Sequence, residues 1–190
     1  MSVDISDAEA IDRAIVERQL GRVPRGVLGI AARCVCGAPL VVSTAPRLPD
    51  GTPFPTLYYL SHPAAVKGCS TLEAQQWMDE LNTLLAEDST IAKHYWNAHQ
   101  DYIDTRESIE KVPEIAHFSA GGMPQRVKCL HALLAHTLAA GPGVNPIGDL
   151  VLERLVKDGL WDHDTCRCVD GQRPGDFTGE NLVSGRTDCD

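Results

Sequence analysis

Val27-Leu28-Gly29-Ile30-Ala31-Ala32-Arg33-Cys34-Val35-Cys36-Gly37-Ala38-Pro39-Leu40-Val41-Val42-Ser43-Thr44 holds two short apolar runs on either side of a Cys-Gly pair. Both runs are rich enough in apolar and β-branched residues to be strands, and Gly37 suits a turn between them, so the stretch predicts a β-hairpin. Thr56-Leu57-Tyr58-Tyr59-Leu60 predicts a third strand, closed by Pro63. Between hairpin and third strand, residues 46–55 carry Pro46, Pro49, Pro53, Pro55 and an Asp50-Gly51 pair, the composition of a shaped loop.

Around this sheet the apolar spacing is helical. Residues 6–20 predict a helix with Ala8, Ile11, Ala14 and Ile15 in one stripe and Gly21 as its stop. Ser70-Thr71-Leu72-Glu73 has the form of a capping box, in which Ser and Glu each satisfy a free backbone N–H, and Trp77, Met78, Leu81, Leu84 and Leu85 follow it. Ser89 is the expected cap of a helix bearing Ile91, Tyr95, Ala98, His99, Tyr102 and Ile103. Residues 124–140 are the most apolar helical stretch, with Arg126 and Lys128 as their only charges, and residues 148–158 predict a short helix after it. The fold expected is α+β: a small antiparallel three-stranded sheet followed by a helical bundle with one buried central helix. Residues 1–161 are expected to form a single domain. Residues 162–190, polar and with four glycines, are expected to be a flexible tail holding Cys166, Cys168 and Cys189.

Composition narrows the function classes. A chain of 190 residues with 43% hydrophobic and 23% charged residues can bury an ordinary core. No apolar run approaches the ~20 residues that span a bilayer, and the acidic stretch 1–9 resembles neither a secretory signal nor a transit peptide. The expected compartment is the cytoplasm. A net charge of −9 excludes bulk attraction to nucleic acid or an anionic membrane surface. Seven cysteines, an odd number in a reducing compartment, fit metal binding, redox chemistry or burial better than a disulfide framework.

Thiolate and imidazole are the ligands that suit Zn²⁺, which takes four of them in a tetrahedron. Cys34 and Cys36 flank the hairpin turn, His62 follows the third strand, and Cys129, His131 and His136 fall on the predicted central helix. On a regular helix Cys129 and His131 would point about 200° apart, and Cys129 and His136 would sit roughly 10.5 Å apart along the axis. One ion shared by Cys129 and His131 therefore requires an irregular helix start. Burial as small hydrophobes is the alternative for Cys34 and Cys129 and the main reading for Cys69.

A second candidate site is the entrance to the same helix. Gly121 and Gly122 permit close backbone approach, Pro124 suits a first helical turn, and free N–H groups with the helix dipole favour an anion. Arg126 and Lys128 add donors, although the spacing is not that of a Walker loop. The alternative is an ordinary turn with two solvated basic side chains. His99 and Tyr102, one helical turn apart, are read as packing rather than as an acid–base pair.

Arg33-Cys34, Pro53-Phe54-Pro55-Thr56-Leu57-Tyr58-Tyr59-Leu60, Leu72-Glu73, Lys128-Cys129-Leu130-His131 with His136, and Asn145-Pro146-Ile147-Gly148 together resemble the bacterial domain-of-unknown-function 501 family. The resemblance runs over roughly residues 10–160. It implies a pattern in which cysteine often stands at the position of His62, an exchange that a metal-ligand position tolerates. A ligand set of Cys34, His62 and Cys129 with a histidine from the helix follows, while Cys36 lies outside the pattern. The resemblance brings no established activity. Its gene neighbourhoods, near exopolyphosphatase-like and septum-formation genes, point toward phosphate metabolism or the cell envelope.

Three functions are thus expected in order. The first is a Zn²⁺-binding protein whose ion joins the sheet to the central helix, an iron–sulfur cluster being less suited to so few family cysteines. The second is a metal-assisted enzyme acting on a phosphorylated small molecule held by Gly121, Gly122, Arg126 and Lys128. The third is an adaptor without metal whose cysteine-bearing tail docks a partner.

Overall fold

The structure, a computed structural model, describes residues 5–177. The hairpin forms as the sequence predicts. β1 (Ser6–Asp7), β2 (Val27–Arg33), β3 (Pro39–Thr44) and β4 (Tyr58–Leu60) make one antiparallel sheet in the order β1-β2-β3-β4. β2 and β3 pair from Val27↔Thr44 to Arg33↔Pro39, and β4 adds to β3 through Val41↔Leu60. All six residues of β3 are buried, as a central strand covered on both faces requires.

The sheet has four strands rather than three. Ser6 and Asp7, expected to begin a helix, instead pair with Ile30 and Gly29. Gly29 makes this possible, because a Cβ there would overlap the Ser6 carbonyl. Helix α1 (Ala10–Leu20) consequently starts later, with the Asp12 carboxylate accepting the Glu9 N–H at 3.1 Å. The same buried carboxylate takes a two-pronged bond from Arg33, Nη1 to Oδ1 at 2.6 Å and Nη2 to Oδ2 at 2.8 Å. That bond fastens α1 to the hairpin one residue before Cys34.

Five further α-helices follow among the described residues: α2 (Pro63–Ala74), α3 (Trp77–Glu87), α4 (Ser89–Ile109), α5 (Leu130–Ala140) and α6 (Pro146–Lys157). The predicted capping box at Ser70-Glu73 lies inside α2, because Pro63 starts that helix a full two turns earlier, with His62 as its N-cap. Asp88 rather than Ser89 caps α4, its carboxylate accepting the N–H groups of Thr90 at 2.8 Å and Ile91 at 3.1 Å. Asn145 caps α6 by accepting the Gly148 N–H at 3.0 Å.

α5 is the buried central helix, with Leu130, Leu133, Leu134, Ala135, His136 and Thr137 all buried against β4, α2 and α6. It begins six residues later than the apolar pattern predicts. Gly121 and Gly122, at φ 67 and 95, turn the chain so that the Lys128 N–H bonds the Gly121 carbonyl at 2.7 Å. Asn82 holds the next stretch by accepting the Val127 N–H at 2.8 Å and donating to its carbonyl at 3.1 Å. The N–H groups of residues 127–129 are therefore tied to neighbours instead of to a helical ladder.

Beyond α6, the described part of the predicted tail, residues 162–177, returns to the body of the protein. Arg18 lies 4.6 Å over the Phe177 ring, Cys168 is buried, and Arg173 Nη2 donates to the Cys168 carbonyl at 2.7 Å. Cys189 falls outside the described residues. No helix among the described residues is long and apolar enough to cross a membrane.

Candidate metal centre

The β2–β3 turn is tight. The Cys34 N–H bonds the Ala38 carbonyl and the Gly37 N–H bonds the Cys34 carbonyl, both at 2.8 Å, and Gly37 sits at φ 87. This geometry turns the side chains of Cys34 and Cys36 to one side. Cys166 and Cys168, which reach the turn from residues 162–177, complete a group of four sulfurs within 4.8 Å of one another. The Cys36 and Cys168 sulfurs are 3.5 Å apart. Cys34 and Cys168 are buried, whereas Cys36 and Cys166 are partly exposed. This group could hold a metal ion.

The four thiols do not share one environment. Burial pushes Cys34 and Cys168 up from the ordinary thiol value; the Cys36 thiol raises both further, while the Cys36 amide works against the rise at Cys34. The Cys168 amide holds Cys166 down to about 7. His62, fully buried, lies beside the group rather than in it. Its Nδ1 accepts the Ala65 N–H at 3.4 Å as the cap of α2, which leaves the proton on Nε2, 3.2 Å from the Cys168 sulfur. Burial lowers the His62 pKa and keeps the ring neutral, so Nε2–H is a donor aimed at that sulfur.

The other sequence candidates lie elsewhere. Cys129 and His131 form a second group with Glu73. Cys129 is the extended N-cap of α5, at φ −150, and this irregular start brings its sulfur to 3.9 Å from His131 Nδ1. Glu73, on α2, accepts the Leu130 N–H at 2.7 Å and lies 3.1 Å from the same Nδ1. His131 Nε2 faces the Val66 carbonyl at 3.1 Å. His136 belongs to neither group among the described residues. Its Nδ1 accepts from the Asn145 amide at 3.2 Å, its Nε2 lies 3.4 Å from Asp101 Oδ2, and its ring stacks on Tyr58. Thus the expected set of Cys34, His62 and Cys129 with His131 or His136 falls in separate places: Cys34 lies in the four-sulfur group with His62 beside it, Cys129 and His131 lie with Glu73, and His136 lies in neither group.

The predicted anion entrance is also arranged differently. The Lys128, Cys129 and Arg126 N–H groups bond the carbonyls of Gly121 and Gly122, and the first amide of α5 already carries the Glu73 carboxylate. Arg126 and Lys128 are exposed, and Gly121 and Gly122 shape the turn. His99 and Tyr102 are buried. His99 Nδ1 is 2.8 Å from Ser119 Oγ, and Tyr102 accepts the Leu57 N–H at 2.6 Å.

Cys166 and Cys168 are the residues that sequence reasoning missed. Cys166-Arg167-Cys168 repeats the spacing of Cys34-Val35-Cys36, and two Cys-x-Cys pairs are the signal that could have found the group.

An α+β protein with a thiol cluster at the end of its sheet is what fold and site define. The chain belongs to a family of proteins of unknown function, DUF501, which matches residues 30–153. The match takes in Cys34, Cys36, Glu73, Cys129 and His131 but ends before Cys166 and Cys168. No curated protein and no solved structure matches the chain.

Proposed function

We propose that Cys34, Cys36, Cys166 and Cys168 bind one Zn²⁺ ion, which clasps the segment after α6 onto the β-hairpin in a reducing cytoplasm. The observation that carries the reading is the convergence of four sulfurs from two Cys-x-Cys pairs separated by 129 intervening residues (37–165). A tetrahedron with Zn–S bonds of about 2.3 Å has edges of about 3.8 Å, close to the 3.5 Å between the Cys36 and Cys168 sulfurs. An iron–sulfur cube spreads its thiolates more widely around a larger body, so a single ion suits this spacing better. Four thiolates close a site and leave no position for substrate, which supports a structural role over a catalytic one. His62 supports the reading as an outer partner, since an N–H donor to a metal-bound thiolate eases its negative charge. The ion joins the sheet to the C-terminal segment and not to α5.

Elemental analysis of the full-length chain, purified under reducing conditions, tests this directly. One equivalent of zinc is expected, and cobalt substitution should give the absorbance of a tetrahedral four-thiolate site. Less than about 0.2 equivalents of any transition metal, with no reconstitution by added zinc, overturns the proposal.

A further inference from the structure

The group at the start of α5 has a different chemistry. His131 Nε2 lies 3.1 Å from the Val66 carbonyl, which can only accept, and 3.2 Å from Ser70 Oγ, which can accept as well, so a proton on Nε2 serves both. The Glu73 carboxylate can likewise only accept, so Nδ1 carries one too. The hydrogen-bond pattern therefore defines an imidazolium, with Cys129 Sγ as the third group around it at 3.9 Å from Nδ1. Burial opposes ionisation of Cys129, yet His131 and the Ala132 amide outweigh it and hold the thiol below its ordinary value. His131 in turn is held above the usual imidazole value by Cys129, against burial and with help from Glu73.

Cys129 and His131 open on a cleft of about 610 Å³ between β4, α1, α2 and α5. That volume is in the range of small-molecule sites. Leu20, Tyr59, Leu60 and Val66 give it apolar walls, and Lys67 supplies a positive charge with no carboxylate partner among the described residues. Cys69, also on α2, is fully buried, and burial pushes its thiol far up, so it is not poised to exchange disulfides with Cys129.

We propose that Cys129 is the nucleophile of an acyl-transfer site, taking the acyl group of a small thioester or activated ester bound in this cleft through an anionic group at Lys67. The Cys129 sulfur forms a bond to the carbonyl carbon, and the bond from that carbon to the leaving sulfur or oxygen breaks. The leaving group takes the proton of His131 Nδ1. His131, now neutral and facing the Glu73 carboxylate, regains a proton from an attacking water. That step releases the carboxylic acid and restores the ion pair. The proposal is independent of the zinc site, whose four ligands take no part in it.

The test uses the full-length protein with S-phenyl thioacetate, and with iodoacetamide as a second probe, followed by peptide mass mapping. S-Phenyl thioacetate should release a stoichiometric burst of thiophenol and, in samples quenched with acid before the slower hydrolysis, leave one acetyl group on the peptide carrying Cys129. At pH 6 iodoacetamide should label Cys129 about tenfold faster than free glutathione, the thiolate gain exceeding the loss of nucleophilicity at lower pKa. Besides His131, the titratable groups beside Cys129 are Glu73 and Cys69 of α2, and Lys67 of α2 with Tyr58 and Tyr59 of β4 line the same cleft. His131→Gln should remove most of the advantage at pH 6 and little of it at pH 9. Acetylation elsewhere, labelling of Cys129 no faster than glutathione, or an equivalent of bound metal lost in Cys129→Ala each overturns the proposal. Wild-type mapping keeps the test decisive even if a variant fails to fold.

Discussion

The sheet end and the α5 start both gather metal-capable side chains, but they balance negative charge in opposite ways. At the sheet end four sulfurs converge beside a neutral imidazole, with one cation, Arg173, at the Cys168 carbonyl and beside the Cys166 thiol. Ionising several thiols there without a further cation would set like charges within 4.8 Å of one another in a partly buried place. At the α5 start a single sulfur faces an imidazolium that the chain itself supplies, and the imidazolium faces a carboxylate. The first arrangement could hold a metal ion, whereas the second sets a cationic partner and a carboxylate beside a sulfur that lines a cleft. Residue type alone does not separate a ligand from a nucleophile. The count of thiols against built-in cations does.

The comparison breaks most sharply on metal content. Cys168→Ser should drop bound zinc from about one equivalent to near zero and lower Tm by roughly 6–12 °C, the effect of losing about 3 kcal/mol of folded-state binding in a chain of this size. Chelation should reproduce the shift in wild type, and Cys129→Ser should keep the metal. Zinc retained in Cys168→Ser but lost in Cys129→Ser would reverse the two assignments.

A smaller effect is expected at His62. His62→Ala should weaken zinc affinity about 10–100-fold while saturating at the same stoichiometry, as loss of an outer hydrogen-bond partner does. Competition with a chromophoric chelator measures it, and a fall in stoichiometry at saturating zinc would make His62 a ligand instead.

Glu73→Gln should leave zinc untouched. It removes the charge-assisted bond at the first amide of α5 and the carboxylate partner of His131, and should cost about 1–2 kcal/mol in urea unfolding. An unchanged midpoint would show that the carboxylate contributes nothing to this helix start.

The smallest effect is a pH dependence. Because the folded-state pKa of His131 is raised, its contribution is complete below the unfolded value of about 6.5 and is lost as pH rises through the folded value. The stability advantage of wild type over His131→Gln should therefore be greatest near pH 6 and shrink toward pH 9. An advantage that grows with pH would contradict the imidazolium. Unfolding midpoints across that range provide the measurement.

Much of the fold was legible before the structure. The hairpin strands, β4, the order of the later helices and the burial of α5 follow from local periodicity and from turn residues such as Gly37 and Gly21. Helix starts were less legible. Pro63, Asp88 and Leu130 begin or cap helices where Ser70, Ser89 and Pro124 were expected, because a start is fixed by whichever acceptor reaches the free amides. For α5 that acceptor is Glu73, 57 positions away in the chain.

By itself the sequence determined which residues have metal or nucleophilic chemistry, since thiol, imidazole and carboxylate are properties of side chains. It also determined that a hairpin turn presents Cys34 and Cys36, because strand pattern and turn glycine are local. Only the tertiary structure decided the partnerships. Cys168 meets Cys36 across 132 positions, and Glu73 meets His131 across 58. Such contacts depend on how α2 and α5 pack on the sheet and on where residues 162–177 return, which no local spacing encodes. The same packing put Cys129 beside a protonated imidazole and Cys34 among three other thiols. Contact distance and charge balance, set together by that packing, separate a proposed ligand from a proposed nucleophile.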